Sequence, residues 1–245
     1  MSQPRRGRLI ALEGIDGSGK TTQARLLAEA LGAQLTHEPG ATDLGRALRH
    51  LLLESDHGAP TPRAEALLMA ADRAQHVDEV VRPALEEGRW VVTDRFSGST
   101  LAYQGWGRQL PTEPLRQLVT WATGGLEADL SILVDVSLEV ARQRLGGSGP
   151  DRPGPDRLER LDADFHERVR HGFVALARSD PDRWAVVDGA EPPEVVARQI
   201  AGVVAERLGT PDGGASDGGR LGGNAFEGEP DGRRFRGNVF EDGDG

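Results

Sequence analysis

Apolar positions along this chain fall into two alternating patterns. Short, nearly unbroken apolar runs occur at Arg8–Glu13, Trp90–Asp94, Leu130–Val136 and Trp184–Asp188, with a weaker one at Leu35–His37. Such runs have the length of strands, and without a polar alternate they read as strands covered on both faces, the condition of a parallel sheet. Between them, apolar residues recur at helical spacing. Leu26, Leu27, Ala30 and Leu31 mark a helix over Lys20–Leu31, and Leu67, Leu68, Ala71, Val77, Val80 and Val81 mark one over Arg63–Glu87. Further helices are predicted over Leu44–Leu53, Leu115–Trp121, Leu138–Leu145, Leu158–Ala177 and Val195–Leu208. Strands alternating with helices predict one three-layer α/β domain, a doubly wound parallel sheet of about five strands with helices on both faces.

The pattern stops at Gly209. Gly, Asp, Asn and Pro then dominate, and a segment with so little to bury does not offset its ordering entropy. The expected organisation is therefore a domain over 1–208 and a disordered tail over 209–245. The tail repeats itself, Gly223-Asn224-Ala225-Phe226-Glu227 and Gly237-Asn238-Val239-Phe240-Glu241. Either this is a duplicated motif in a disordered segment, or Phe226 and Phe240 anchor a docking peptide.

Composition narrows the class. With 37% hydrophobic residues in 245, the first ~210 carry a proper core. No cysteine is present, which excludes disulfides and thiolate metal sites. The basic start, Met1 to Arg8, precedes only a short apolar run, and no run approaches the ~20 residues of a membrane span. A cytoplasmic, soluble protein without a membrane partner is expected. The net charge of −10 argues against a nucleic-acid polymer, but not against a small phosphorylated ligand. The six histidines show no metal-ligand spacing and suggest no Ser-His-Asp set.

Two motifs carry chemistry. Gly14-Ile15-Asp16-Gly17-Ser18-Gly19-Lys20-Thr21 fits G-x-x-x-x-G-K-[ST] between a predicted strand and a predicted helix, with Thr22 following. The glycines let successive N–H groups face phosphate oxygens at the positive end of the helix. Lys20 is expected to reach the β- and γ-phosphates of ATP, and Thr21 to ligate Mg²⁺. This makes the fold a P-loop NTPase. Asp94-Arg95-Phe96 ends the third strand. A carboxylate there suits a metal-positioning acid, and Arg95 offers a forked donor to a phosphate.

Together with these, several segments stand in a recognisable order. Leu12 to Gln23, His37-Glu38-Pro39-Gly40-Ala41-Thr42, Ala70 to His76, Asp94 to Gly105, Asp156-Arg157-Leu158-Glu159 and Phe165 to Val169 resemble the thymidylate kinases. The resemblance spans residues 8 to about 208. It implies Mg²⁺-dependent transfer of the ATP γ-phosphoryl group to dTMP, by a homodimer joined through helices away from the P-loop. It further implies that Asp16 holds the sugar 3′-hydroxyl, Arg95 the acceptor phosphate and Asp94 the magnesium. Arg73, Thr100 and Gln104 would face the base, with Ser99 nearby and Tyr103 against the sugar. A lid over about 147–161 would bring an arginine to the transferred phosphoryl group, because Gly17 of the P-loop has no side chain to do so. Arg157 matches that role best, Arg152 second. Three positions depart from the family pattern: Met69 stands in place of a base-stacking phenylalanine, and His37 and Ala41 replace an arginine and a glycine. Met69 leaves open a kinase for another monophosphate such as dUMP, and the fold alone leaves open a nucleotide-gated regulatory protein.

Overall fold

A computed structural model describes residues 6–54, 58–146 and 156–211. Five strands, β1 (Leu9–Glu13), β2 (Gln34–His37), β3 (Val91–Asp94), β4 (Leu130–Asp135) and β5 (Trp184–Asp188), form one sheet in the order β2-β3-β1-β4-β5. Every pairing is parallel. Among the described residues the α-helices are α1 (Lys20–Leu31), α2 (Asp43–Arg49), α3 (Pro62–His76), α4 (Arg82–Glu86), α5 (Ser97–Thr100), α6 (Thr112–Ala122), α7 (Leu138–Gly146), α8 (Ala163–Ser179) and α9 (Pro193–Leu208).

The central strand explains the layering. All of β1 is buried, so both of its faces need cover. Ile10 and Leu12 face Ala24, Leu27 and Ala28 of α1 and Val196, Ile200 and Val204 of α9. Leu9 and Ala11 point the other way, onto Val77, Val81, Ala84 and Leu85. Further along that second face, Leu133 of β4 packs with Phe165, Val169 and Phe173 of α8. The doubly wound sheet is as the apolar runs predict. No helix of the described residues is long and apolar enough to cross a membrane.

Four stretches differ from the periodicity reading; the helix expected over Leu44–Leu53 is α2 followed by a π-helical segment over His50–Glu54. The helix expected over Arg63–Glu87 widens to π-helical geometry at Val77–Val81 before resuming as α4. Pro83 has no N–H to offer the preceding turn, and the chain widens just ahead of it. The helix expected from Leu158 begins instead at Ala163, where Asp162 caps it by accepting from Phe165 N at 2.7 Å. Before that, Asp156 Oδ1 accepts from Leu158 N at 2.8 Å and Glu159 N at 2.9 Å, which curls the chain into a turn. Finally, Ser97–Gly107 is helical, as α5 followed by a π-helical segment over Leu101–Gly107, although its glycines conceal this. Packing explains the glycines: a Cβ at Gly107 would lie 2.6 Å from the Phe165 ring, and one at Gly172 of α8 would lie 2.6 Å from Trp106. The described residues belong to one unit that runs to Pro211. Beyond it, the expected tail and its repeat, like residues 147–155 of the expected lid with Arg152, lie outside the described residues.

Candidate active site

The site lies at the carboxyl ends of β1 and β3, whose register pairs Leu12 with Asp94 and so brings the two motifs side by side. Between Glu13 and Lys20 the backbone loops with positive φ at Gly14 (147°) and Gly17 (82°). A Cβ at Gly14 would stand 2.6 Å from the Val134 carbonyl oxygen, and one at Gly17 2.6 Å from that of Ala141. Gly19 caps α1 with no side-chain bond, so the first-turn N–H groups keep their capacity for an anion. Gly14, Ile15, Gly17, Ser18 and Gly19 thus shape the loop and Thr22 lies in the first turn of α1, while the side chains of Asp16, Lys20 and Thr21 line the cleft above it.

Lys20 is buried. Its Nζ lies 3.4 Å from the Ile15 carbonyl and 3.4 Å from Asp16 Oδ1, both long for hydrogen bonds. The ammonium is thus loosely held and available to a stronger anion. The Thr21 hydroxyl donates to Asp94 Oδ2, whereas Asp94 Oδ1 is buried with no hydrogen-bond partner among the described residues. A hydroxyl beside an unsatisfied carboxylate oxygen suits a hard cation that takes oxygen ligands, and Mg²⁺ fits this pair.

Arg95 has φ 73°, in the left-handed region that few bulky residues adopt. Its side chain is held from several directions. NH1 donates to the Gly14 carbonyl at 2.9 Å and to Ser99 Oγ at 3.1 Å. NH2 donates to the Asp16 carboxylate and, at 3.1 Å, to the Tyr103 hydroxyl, whose own proton goes to Asp16 Oδ2 at 2.7 Å. Nε makes no bond among the described residues and remains to meet a ligand. Burial alone would raise the Asp16 pKa, but Arg95, Lys20 and the Tyr103 hydroxyl hold it well below the usual carboxylate range. Asp16 is therefore a fixed anion at the mouth of the P-loop.

At the far end of the cleft, Arg73 of α3 is almost wholly buried. Nε donates to Glu38 Oε2 at 2.8 Å, NH1 to Thr100 Oγ1 at 2.7 Å and NH2 to the Phe96 carbonyl at 2.9 Å. Glu38 is itself held by His76, whose Nδ1 lies 2.8 Å from Oε1 while its Nε2 lies 2.7 Å from Thr36 Oγ1. These bonds, with NH2 also 2.8 Å from Glu38 Oε2, fix the plane of the guanidinium that lines the cleft. Met69, one turn earlier on α3, lines the same wall with Ser99, Thr100, Tyr103 and Gln104. The whole cleft encloses about 480 Å³, enough for a small organic ligand.

Of the expected side chains, Asp16, Lys20, Thr21, Asp94 and Arg95 line this one cavity together with Met69, Arg73, Ser99, Thr100, Tyr103 and Gln104, whereas Arg157 does not. Arg157 Nε donates to the Leu52 carbonyl at 2.7 Å and NH2 to Glu65 Oε2 at 2.7 Å. Glu65 is fully buried and also accepts from Gln104 Nε2 at 2.9 Å and Arg108 NH2 at 2.9 Å. Arg157 therefore faces an internal carboxylate; of its turn, Asp156, Leu158 and Glu159 line the cleft. Sequence reasoning also passed over Arg144 of α7, which donates to the Ser18 carbonyl at 3.1 Å and the Gly189 carbonyl at 2.8 Å, bracing the outer side of the P-loop. It stands 126 residues from Ser18, and no local pattern signals that contact. Asp72 was missed too. It lines the cleft, accepts from Gly40 N at 2.9 Å, and is pushed up to about 6 by burial and then by the charge of Glu38.

Comparison with known proteins points the same way. The thymidylate kinase family model matches residues 12–200. A thymidylate kinase of Desulfovibrio desulfuricans is 47% identical over 203 residues, covering 80% of this chain and 94% of that protein. One of Clavibacter sepedonicus is 50% identical over 199 residues, covering 79% and 92%. The crystal structure of a thymidylate kinase from Ehrlichia chaffeensis superposes with a TM-score of 0.67 at 30% identity, covering 81% of this chain and 98% of the other. With its P-loop, its Asp94–Arg95 pair and its Arg73 wall in one cleft, the chain belongs to the thymidylate kinase family.

Proposed function

We propose that this chain transfers the γ-phosphoryl group of ATP to dTMP, giving dTDP, with the two nucleotides meeting above Asp16. The observation that carries the reading is the continuity of the cleft from Lys20 and Thr21, past Asp94 and Arg95, to Met69 and Arg73. The triphosphate lies over the open N–H groups of α1, with Lys20 against its outer phosphates. Arg95 grips the acceptor phosphate through Nε. The Asp16 carboxylate accepts from the sugar hydroxyl, and Tyr103, pinned between Asp16 and Arg95, packs against the ring. Arg73 and Gln104 meet the base. When bound, Mg²⁺ would be held by Thr21 and Asp94 and would neutralise phosphate charge. The acceptor is already an anionic nucleophile, so no general base is needed and positioning carries the reaction. A coupled assay over a panel of nucleoside monophosphates tests this. Turnover restricted to dTMP supports it, while preference for dUMP or absence of turnover with every acceptor overturns it.

Two side chains tune this picture. Met69 covers the base with a thioether where an aromatic ring would stack. Met69→Phe is expected to tighten dTMP binding by up to about tenfold, since an aromatic pair adds about 0.5–1.5 kcal/mol beyond its area. Calorimetric titration of the two proteins with dTMP reads the difference, and weaker binding in the variant would place Met69 away from the base. Arg157, by its bonds to Glu65 and the Leu52 carbonyl, anchors the described, C-terminal part of the lid. Arg157→Ala is expected to lower kcat by no more than about tenfold while costing about 1–3 kcal/mol in urea denaturation, the range for a buried carboxylate losing a partner. A loss of three orders of magnitude in kcat would instead put Arg157 on the transferred phosphoryl group. Arg152, outside the described residues, is the other arginine to assay beside it.

A cytoplasmic homodimer belongs to the same proposal. Leu67 of α3 and Trp121 of α6 are exposed, the latter at 83%, on helices that pack against each other away from the P-loop. Burial of that surface between two copies would shield both, and sedimentation equilibrium measures the mass directly.

A further inference from the structure

Glu13 is the last residue of β1, next to Gly14 of the P-loop, and it is fully buried. Three donors converge on its carboxylate. Phe96 N donates to Oε1 at 3.1 Å, Ser99 N to the same oxygen at 3.2 Å, and Ser99 Oγ to Oε2 at 2.6 Å. The carboxylate thereby ties down α5 directly behind Arg95, the residue whose backbone is held at positive φ. The space is closely filled: a Cβ on Gly98 would stand 2.8 Å from Glu13 Oε1 and 2.6 Å from the Trp184 ring. The Ser99 hydroxyl completes the link, because it gives its proton to Glu13 and accepts from Arg95 NH1 at 3.1 Å.

We propose that Glu13 is a positioning residue for phosphoryl transfer, whose ionised carboxylate orients the Ser99 hydroxyl to accept from Arg95 and so fixes the guanidinium at the acceptor phosphate. The proposal rests on the kinase reading above. Its logic lies in proton counting. Ionised Glu13 takes the Ser99 proton and leaves the serine lone pairs for Arg95. A protonated Glu13 brings a fourth donor to a site that already holds three. The Ser99 hydroxyl must then receive protons from both sides with no acceptor for its own, and its bond to Arg95 weakens. Burial pushes the Glu13 pKa up to about 7, against the lowering influence of the Ser99 bond, Arg95, the Phe96 amide and Arg73. The charged groups facing it are Arg95 from the turn after β3 and Arg73 from α3; Ser99 faces it from α5, and across Gly98 the Trp184 side of β5 is uncharged. Protonation therefore falls near neutral pH.

Stability moves the opposite way to activity. The folded pKa lies above the unfolded one, so the native state binds the extra proton between about 4.5 and 7. The Glu13 contribution to stability is complete below the unfolded value and declines as pH rises through the folded value. The ionised form that orders Arg95 is thus the costlier form to bury.

The isosteric variant Glu13→Gln mimics the protonated state at every pH, because its amide oxygen still accepts from the two backbone N–H groups while its NH₂ faces Ser99. At pH 8, kcat at saturating ATP and dTMP is expected to fall roughly ten- to hundredfold, the scale for slight misplacement of a reacting group, with KM for ATP changed little. The ratio of wild-type to variant kcat should shrink as pH falls from 8 to 6, and this ratio cancels ionisation of the substrate phosphate. Ser99→Ala should give a similar loss, and the double variant no further one, since both break one link. If Glu13→Gln does not fold, Ser99→Ala carries the test alone through its kcat and pH profile. A kcat within twofold of wild type at pH 8, or a ratio that stays constant with pH, overturns the proposal. A wild-type protein with no dTMP kinase turnover would instead overturn the kinase reading itself.

Discussion

Replacing Lys20 with Ala is expected to lower kcat by at least about a thousandfold while the apo protein melts within a few degrees of wild type. The first half follows from charge development: removing one well-placed donor to a transition-state oxygen costs about 10²–10³ in kcat, and a full positive charge on the transferred group costs more. The second half follows from the way Lys20 sits. Among the described residues its Nζ makes two long contacts of 3.4 Å, to Ile15 and Asp16. Asp16 keeps its closer partners Arg95 and Tyr103 when the ammonium is gone. Turnover assays at saturating substrates, with a thermal melt of the same sample, measure both halves. Near-normal turnover in Lys20→Ala would remove the phosphate from the P-loop and the kinase reading with it.

Arg95→Ala is expected to damage both activity and folding. Loss of the acceptor-phosphate clamp should lower kcat/KM for dTMP by about a hundredfold or more. The same change removes the strongest favourable charge acting on Asp16 and leaves its carboxylate with Lys20 and Tyr103. Breaking a buried pair from one side costs about 3–5 kcal/mol, and Asp16, with 23% of its side chain still exposed, should fall near the low end. The pH dependence identifies the source. Asp16 titrates below its unfolded value of about 3.9, so the stability from its pairing is full at neutral pH and is lost as pH falls below that value towards the folded pKa. Urea denaturation at pH 7 should therefore separate wild type from Arg95→Ala widely, and at pH 3 by a gap that has begun to narrow and would close only towards the folded pKa. An equal gap at both pH values would trace the loss to the strained Arg95 backbone rather than to its charge.

The difference between Lys20 and Arg95 also separates what sequence and structure each contribute. Lys20, Thr21 and the glycines around them belong to a local pattern in which each residue type is required by the path of the backbone it occupies. Short-range rules therefore locate them, as they locate four of the strands by nearly unbroken apolar runs and β2 by a weaker one. Asp94 and Arg95 were legible for the same reason, since they end a strand beside the P-loop strand. The family order of the remaining segments singled out Met69, Arg73, Tyr103 and Gln104, and the structure lines one cleft with all four.

Other features depend on partners that no local pattern names. Ser97–Gly107 is helical against its glycine content because α8 approaches so closely that Gly107 leaves no room for a Cβ. Arg157 reads as the lid arginine for the transferred phosphoryl group until the fold places buried Glu65, 92 residues away, within 2.7 Å of it. Arg144 braces a P-loop 126 residues distant. Glu13 reads as a polar residue closing a strand, and only burial beneath Phe96 and Ser99 makes it a carboxylate that titrates near neutrality. The sequence by itself thus determined the strands, most of the helices, the phosphate loop and the kinase family, because backbone geometry and apolar periodicity act over a few residues. The tertiary structure alone decided which arginine faces the cleft and which carboxylate is forced to choose its charge, because desolvation and pairing depend on atoms brought together from across the chain.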